Sequence, residues 1–409
     1  MAIRQRLCRV VVASALLACL GCGGGQARGS TAAPEAAATP TSRLFGSHNF
    51  SYAAGTILPS HVTQAQRDDA TRTAYDRWKS TYLRQGCGDS RYYVWSQGVA
   101  LDDAIAVSEG MGYGMMTSVY MAGHDPAART MFDGLYRFVQ DHPADTSANL
   151  MAWVQVADCS TPPDEAGPAS DGDIDIAFAL ALAHRQWGSD GAINYLSEAR
   201  NRMAAVLARE IHPTSLYVHI GDPELFPTHA DGTRPSDFIA DHFRTFGSTS
   251  GDGNWTRVVD RAYSILQTVR HGETGLVPDL VVEADESPQP APPEWLESEF
   301  DGDYYYNACR VPWRIGTDYV VSGDARALAI LSLINTWVRA TTGDDPEQVN
   351  NGYLLDGVGA VKAEGRGAGH GLLNSSRGKR SWFGAAVPGG GGARDRRDLP
   401  MPRARAEPK

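Results

Sequence analysis

ASDGDIDIAFALALAHRQW, residues 169–187, opens with three aspartates at alternating positions, Asp171, Asp173 and Asp175, and runs into an Ala/Leu-rich helix that ends near Trp187. Alternating acids suggest a calcium loop, but such a loop needs glycine at its sixth position and glutamate at its twelfth, where this chain has Ile176 and Leu182. The acids therefore read as a carboxylate cluster at a helix N-terminus. One of them caps the helix, and backbone N–H groups are expected to hold Asp171 ionised, ready to bind hydroxyls or stabilise positive charge. Working outward, apolar residues recur at helical spacing around 64–84, 102–121, 173–188, 192–210, 255–271 and 318–340, separated by Gly, Pro and Asp clusters. Alternating strands are scarce. The chain reads as all-α, with long loops rich in Trp, Tyr, Asp and Glu, and long loops in a compact domain are usually functional. No self-similarity appears at a period of ~34–45 residues, which removes a helical-repeat scaffold.

The 409 residues, 42% hydrophobic and 21% charged, can bury a sizeable core and are too apolar for a disordered tail. The first 42 residues carry +3 and residues 377–409 carry +6, so the net −11 leaves −20 on residues 43–376. A body so acidic argues against nucleic acid and suits a neutral or cationic partner. Arg4, Arg6 and Arg9 precede an apolar run from Val10 to Leu20, too short to span a bilayer. Residues 1–22 thus read as a signal peptide. Its end, Leu16-Leu17-Ala18-Cys19 and Leu20-Gly21-Cys22, resembles a bacterial lipobox, so the protein is expected to be secreted or held at the outer membrane by an N-terminal lipid. Residues 23–43 have the composition of a flexible linker, 44–376 form the folded domain, and 377–409 are expected to be a disordered basic tail. Cys87, Cys159 and Cys309 remain after the signal, an odd number that suits one disulfide and one thiol in an oxidising compartment, and Cys87 and Cys159, both in loops near the stretches at 108–115 and 169–177, are the candidate pair.

Two further stretches carry chemistry. In Ser108-Glu109-Gly110-Met111-Gly112-Tyr113-Gly114-Met115 the glycines permit close backbone packing, and apolar neighbours put Glu109 in a low-dielectric wall, where burial makes a carboxyl a general acid. The alternative is a helix start with Ser108 as N-cap and Glu109 in the first turn. The run lacks the flanking strand and the Gly-Lys-Ser/Thr ending of a nucleotide loop. The second stretch, residues 304–319, sets Tyr304, Tyr305, Tyr306 and Asn307 before Ala308-Cys309-Arg310 and adds Trp313 and Arg314. Its aromatic faces suit stacking or a core, and its arginines can fork onto carboxylates.

Together, and in this order, the three stretches resemble glycoside hydrolase family 8, whose members cut β-linked glucans, xylan or chitosan from within the chain. Asn149-Leu150-Met151-Ala152-Trp153, Pro235-Ser236-Asp237-Phe238, Trp255 and Gly275-Leu276-Val277-Pro278-Asp279 add to the likeness, which runs from about residue 45 to 375. The resemblance implies an (α/α)6 barrel of inner and outer helices and an inverting hydrolase that uses no cofactor and no metal. It implies Glu109 as general acid and Asp171 as the residue that orients and distorts the central sugar. In one subgroup the base is an aspartate just before Ala-Cys-Arg. This chain has Asn307 there and resembles the subgroup that takes its base from the preceding loop, which implies Glu297, with Glu299 in reserve. Asp173, Tyr113, Asn307 and Arg310 join the implied substrate-binding set, and Trp95, Trp153, Trp295, Tyr305 and Tyr306 are candidate sugar platforms. Arg310 is expected to pair with a catalytic acid. After residue 357 the sequence turns to glycine and arginine where the family continues with helix-compatible residues, so the barrel is expected to be incomplete at its C-terminal end. The expected substrate is a β-1,4-linked polysaccharide, chitosan or β-glucan/cellulose, cut by a monomer. The rival reading is a non-catalytic carbohydrate-binding protein built on a degenerate barrel.

Overall fold

Among the described residues four helical hairpins follow one another, each an inner helix covered by an outer one. The computed structural model describes residues 45–48, 53, 56, 61–96 and 101–360. A first helix, α1 (Gln64–Tyr82), starts with a capping box in which Thr63 and Gln66 satisfy each other's backbone N–H groups. The inner helices are α2 (Ser108–Tyr120), α4 (Ser170–Trp187), α6 (Ala240–Ser250) and α8 (Val311–Ser322). Each packs against the next. Their outer partners are α3 (Ala128–Asp141), α5 (Tyr195–Arg209), α7 (Asn254–Val269) and α9 (Ala325–Thr342).

The sequence explains which helix goes where. Every residue of α4 from Ser170 to Ala181 is buried, as its Ala/Leu composition allows, whereas α3 and α7 bury one face, including Phe132, Leu135, Val258 and Leu266, and turn charged residues outward. A single core of these side chains with Met111, Ile174, Phe243, Trp255, Ile315 and Ile330 runs through all four hairpins. Burial of that size supplies roughly 1.5–3 kcal/mol per large side chain.

The helices α2 and α4 meet at glycines. A Cβ on Gly172 would lie 2.3 Å from Ser108 Oγ, and one on Gly112 would lie 2.6 Å from Asp175 Cβ. This close approach is what brings Glu109 and Asp171 to the same end of the inner ring.

Two expected helices are revised. In 102–121, the β-branched pattern of Ala104–Val107 forms β3, which pairs antiparallel with β6 (Val154–Val156). The helix α2 begins only after it, with extended Val107 at the N-cap in place of Ser108. In 318–340, Gly323 at φ +75° ends α8 with a left-handed cap and α9 starts afresh from Asp324, whose side chain caps Arg326 N. The other strands are equally short antiparallel pairs: β1 (Leu83–Gln85) with β2 (Tyr92–Val94), β4 (Pro143–Ala144) with β5 (Ser147–Met151), and β7 (Val281–Val282) with β8 (Gln289–Pro290). A disulfide joins Cys87, in the β1–β2 turn, to Cys159 beyond β6, and Cys309 is a half-buried free thiol. The expected signal peptide, linker, basic tail and incomplete barrel end lie outside the described residues.

Candidate active site

Glu109 enters the site from the first turn of α2, its side chain 31% exposed, so the sealed apolar wall expected around it is open on one side. Its Oε1 accepts from Tyr113 Oη at 2.7 Å, one helical turn on, and from Arg310 Nη1. The same Nη1 lies 3.7 Å from Asp171 Oδ2, so one guanidinium stands between the two acids, as expected of Arg310.

The three aspartates of α4 have three different fates. None caps the helix: Ala169 occupies the N-cap with no side-chain bond, and Asp171 and Asp173 lie in the first turn. Asp171 is nearly buried and takes one backbone bond, from Gly172 N at 2.8 Å. Burial, then the charge of Glu109, outweigh the nearby arginines and push its carboxyl above the ordinary range, so N–H groups do not hold it ionised as expected. Asp173, expected to touch substrate, is fully buried on the side of α5: it accepts Met151 N at 2.9 Å and lies 3.7 Å from Arg202 Nη1. Burial pushes it up to about 7. Asp175 takes both Nη groups of Arg314, at 3.0 and 2.8 Å, and His242 Nε2 at 3.0 Å, which ties α4, α8 and α6 together beneath the site.

Glu297 joins the same network from the loop before Tyr304. Its Oε1 accepts from Arg234 Nη2 at 2.6 Å and its Oε2 from Asn307 Nδ2 at 2.7 Å. Burial opposes the charge, but Arg234, Asn307 and Arg310 outweigh it and hold the carboxyl below its usual range. Glu299, two residues on, is exposed and makes none of these bonds.

Asn307 is nearly buried, and its amide oxygen accepts from Arg310 Nη2 at 2.9 Å. The turn that carries it is built on Asp279, whose carboxylate accepts Tyr305 N at 2.8 Å, Asn307 N at 3.1 Å and Ala308 N at 2.7 Å. Arg310 Nη2 also donates to Ser236 Oγ at 2.9 Å. Ser236 donates to Asp237 Oδ1 at 3.1 Å, and Asp237 Oδ2 lies 3.6 Å from Arg234 Nη1. Six side chains thus close a ring: Arg310, Asn307, Glu297, Arg234, Asp237 and Ser236, with Glu109 attached at Arg310. Arg234 and Asp279 have no place in the sequence-based site set, although the sequence around both carries the family likeness.

The aromatic candidates divide. Tyr305 is buried between Phe300 at 4.9 Å and Tyr306 at 4.3 Å, so the half-buried Tyr306 offers the surface expected of both. Trp153 is half-buried beside the start of α2, where its carbonyl accepts Ser108 N at 2.9 Å, and its Nε1 donates to Glu165. Trp95 carries Arg84 5.1 Å over its ring. Trp295 packs edge-on with His229 at 4.7 Å and against Gly232, where a Cβ would lie 2.0 Å from its ring.

A family model described as glycosyl hydrolases family 8 matches residues 50–364. The chain is 41% identical over 310 residues to a β-glucanase of Niallia circulans, covering 75% of this chain and 74% of that protein. It is 38% identical over 313 residues to an endoglucanase of Bacillus sp. strain KSM-330, covering 74% and 66%. The solved apo structure of a β-1,3-1,4-glucanase from Paenibacillus sp. X4 has a TM-score of 0.72 and 40% identity, covering 77% of this chain and 82% of that one.

Proposed function

The chain belongs to family 8 of the glycosyl hydrolases, and from that premise we propose that it cuts mixed-linkage β-1,3-1,4-glucan by inversion, with Glu109 as acid, Glu297 as base and Asp171 as the residue that holds the central sugar. The β-glucanase and endoglucanase relatives at 38–41% identity support endo-acting hydrolysis of β-glucans, and the fold is the (α/α)6 barrel. The preference for mixed linkage rests on the β-glucanase relatives at 40–41% identity.

The observation that carries the assignment is the placement of Glu297: a carboxylate with one donor on each oxygen, kept ionised, and joined to Glu109 through other side chains, most directly Asn307 and Arg310. Each oxygen keeps a second lone pair. A water between Glu297 and the anomeric carbon gives its proton to Glu297 as its oxygen bonds to that carbon. The glycosidic bond breaks on the opposite side of the ring, and the leaving oxygen takes a proton from Glu109. Oε1 of Glu109 is occupied by Tyr113 and Arg310, so Oε2 delivers the proton. Inverting pairs stand ~6.5–9.5 Å apart to admit that water. Asp171, nearly buried beside Arg310, accepts from sugar hydroxyls, and Tyr306 and Trp153 give stacking faces.

No helix among the described residues is long and apolar enough to cross a membrane. Residues 1–22 read as an export signal with a lipobox-like end, so the enzyme acts as a monomer outside the cytoplasm, free or lipid-held. The Cys87–Cys159 bridge fits an oxidising compartment.

The test is reducing-end release by the full chain on lichenan, carboxymethylcellulose, chitosan and xylan. Lichenan is expected to be cut fastest, and Glu109→Gln to lose ~10²–10⁴-fold of that rate while the circular dichroism stays unchanged. Highest activity on chitosan or xylan overturns the substrate, and full activity in Glu109→Gln overturns the acid.

A further inference from the structure

We propose that Arg234 is the residue that positions the base: it fixes the Glu297 carboxylate where a water can be deprotonated and, through the closed ring, ties base to acid. The inference rests on the assignment of Glu297 as base.

The loop carrying Glu297 fixes its backbone but not its side chain. Asp301 accepts the N–H groups of Leu296, Glu297 and Ser298 at 2.7, 3.0 and 2.8 Å. The carboxylate beyond is held by Arg234 and Asn307 alone among the hydrogen bonds described for it. Its side chain is 40% exposed, that of Arg234 only 12%, so a fixed buried donor stands behind an exposed acceptor. The anchoring of Arg234 is built into the backbone: Thr233 exchanges two 2.9 Å bonds with Val281, and Pro235 starts a 3-10 turn at the next residue. The guanidinium then forks, Nη2 to Glu297 and Nη1 toward Asp237, and a planar fork sets an angle that a point charge does not.

The charges around Glu297 show what Arg234 offsets. Asp237 beside Arg234, Asp279 under the Asn307 turn and Asp171 on α4 are all acids, as are Glu294, Glu299 and Asp301 on its own loop. His229 bonds the Trp295 carbonyl two residues away. Against these stand Arg234 and Arg310, and Arg310 is already shared with Glu109 and Asp171. Without Arg234, Glu297 keeps the acids and half of a shared guanidinium.

The experiment compares Arg234→Gln and Arg234→Lys with the parent full chain on lichenan, measuring kcat and kcat/KM against pH. Arg234→Gln is expected to lower kcat ~10²-fold with KM changed less than about threefold, and to move the acidic limb of kcat/KM up by about one pH unit. Arg234→Lys is expected to return the limb while kcat stays below the parent, because the charge is restored and the fork is not. In a Glu297→Gln background, Arg234→Gln is expected to cost less than about threefold more, since it acts through Glu297. An unmoved limb with equal loss at every pH, or a full second loss in the double variant, overturns the proposal. If Arg234→Gln does not fold, the Arg234→Lys profile decides: a kcat equal to the parent's overturns the need for the fork. Undiminished turnover by Glu297→Gln alone overturns the base assignment instead, an arm in which Arg234 is intact.

Discussion

Asn307 shows how one atom sets the polarity of the whole site. Its oxygen faces Arg310 and its nitrogen faces Glu297, so the amide adapts a cation on one side to an anion on the other. Asn307→Asp removes the donor and sets a second carboxylate against the first. The pair is then expected to share protons and titrate in two steps. Measured as kcat/KM on lichenan, the acidic limb is expected to broaden and rise by about one pH unit, with a loss of roughly tenfold near pH 5. A profile superimposable on the parent's would show that the amide does not bear on the base. The pattern of acids was only partly legible at this scale. Asp171 and Asp175 are four apart and share the inner face of α4, whereas Asp173, two positions on, points the other way into the α5 contact. Alternation along the sequence is not alternation across a helix, so Asp173, expected in the substrate set, faces α5 instead.

Between elements, the contact that matters most is α2 against α4. Gly172→Ala puts a Cβ 2.3 Å from Ser108 Oγ and 2.7 Å from Ser108 C, and backbone cannot step aside as a side-chain end can. Overpacking there is expected to cost about 1–3 kcal/mol. Gly253→Ala is the control, since Gly253 has φ −68° and a Cβ on it meets nothing within 4 Å. It is expected to be neutral or slightly stabilising. Urea unfolding of both variants checks the pair, and equal midpoints would remove the contact as the cause. Helices were legible where their signal is local, as in the Ala/Leu run of α4 or the repeat of α7. The start of α2 was not, because Ala104–Val107 is drawn into a strand by a partner some fifty positions later, Val154–Val156. Arg234 was invisible for the same reason: its acceptor is 63 positions away.

For the molecule as a whole, the disulfide closes a loop over a sequence separation of 72 and latches the β1–β2 turn, ahead of Trp95, to the segment after Trp153. Replacing both Cys87 and Cys159 by serine is expected to cost roughly 4 kcal/mol by chain entropy. The urea midpoint measures it, and an unchanged midpoint would assign the bridge no part in stability. The barrel was legible as a family likeness carried by its motifs, and the bridge as the pairing of two cysteines set in loops near the first two of them. The ring at the site adds a matter of timing. Glu109 and Arg310 are 201 positions apart. A ribosome adding ~5–20 residues per second needs ~10–40 s to go from one to the other. Through that interval the acid exists without its cation, and the base, made only near its end, gains its amide 10 residues later, so the site is inert until Arg310 is made.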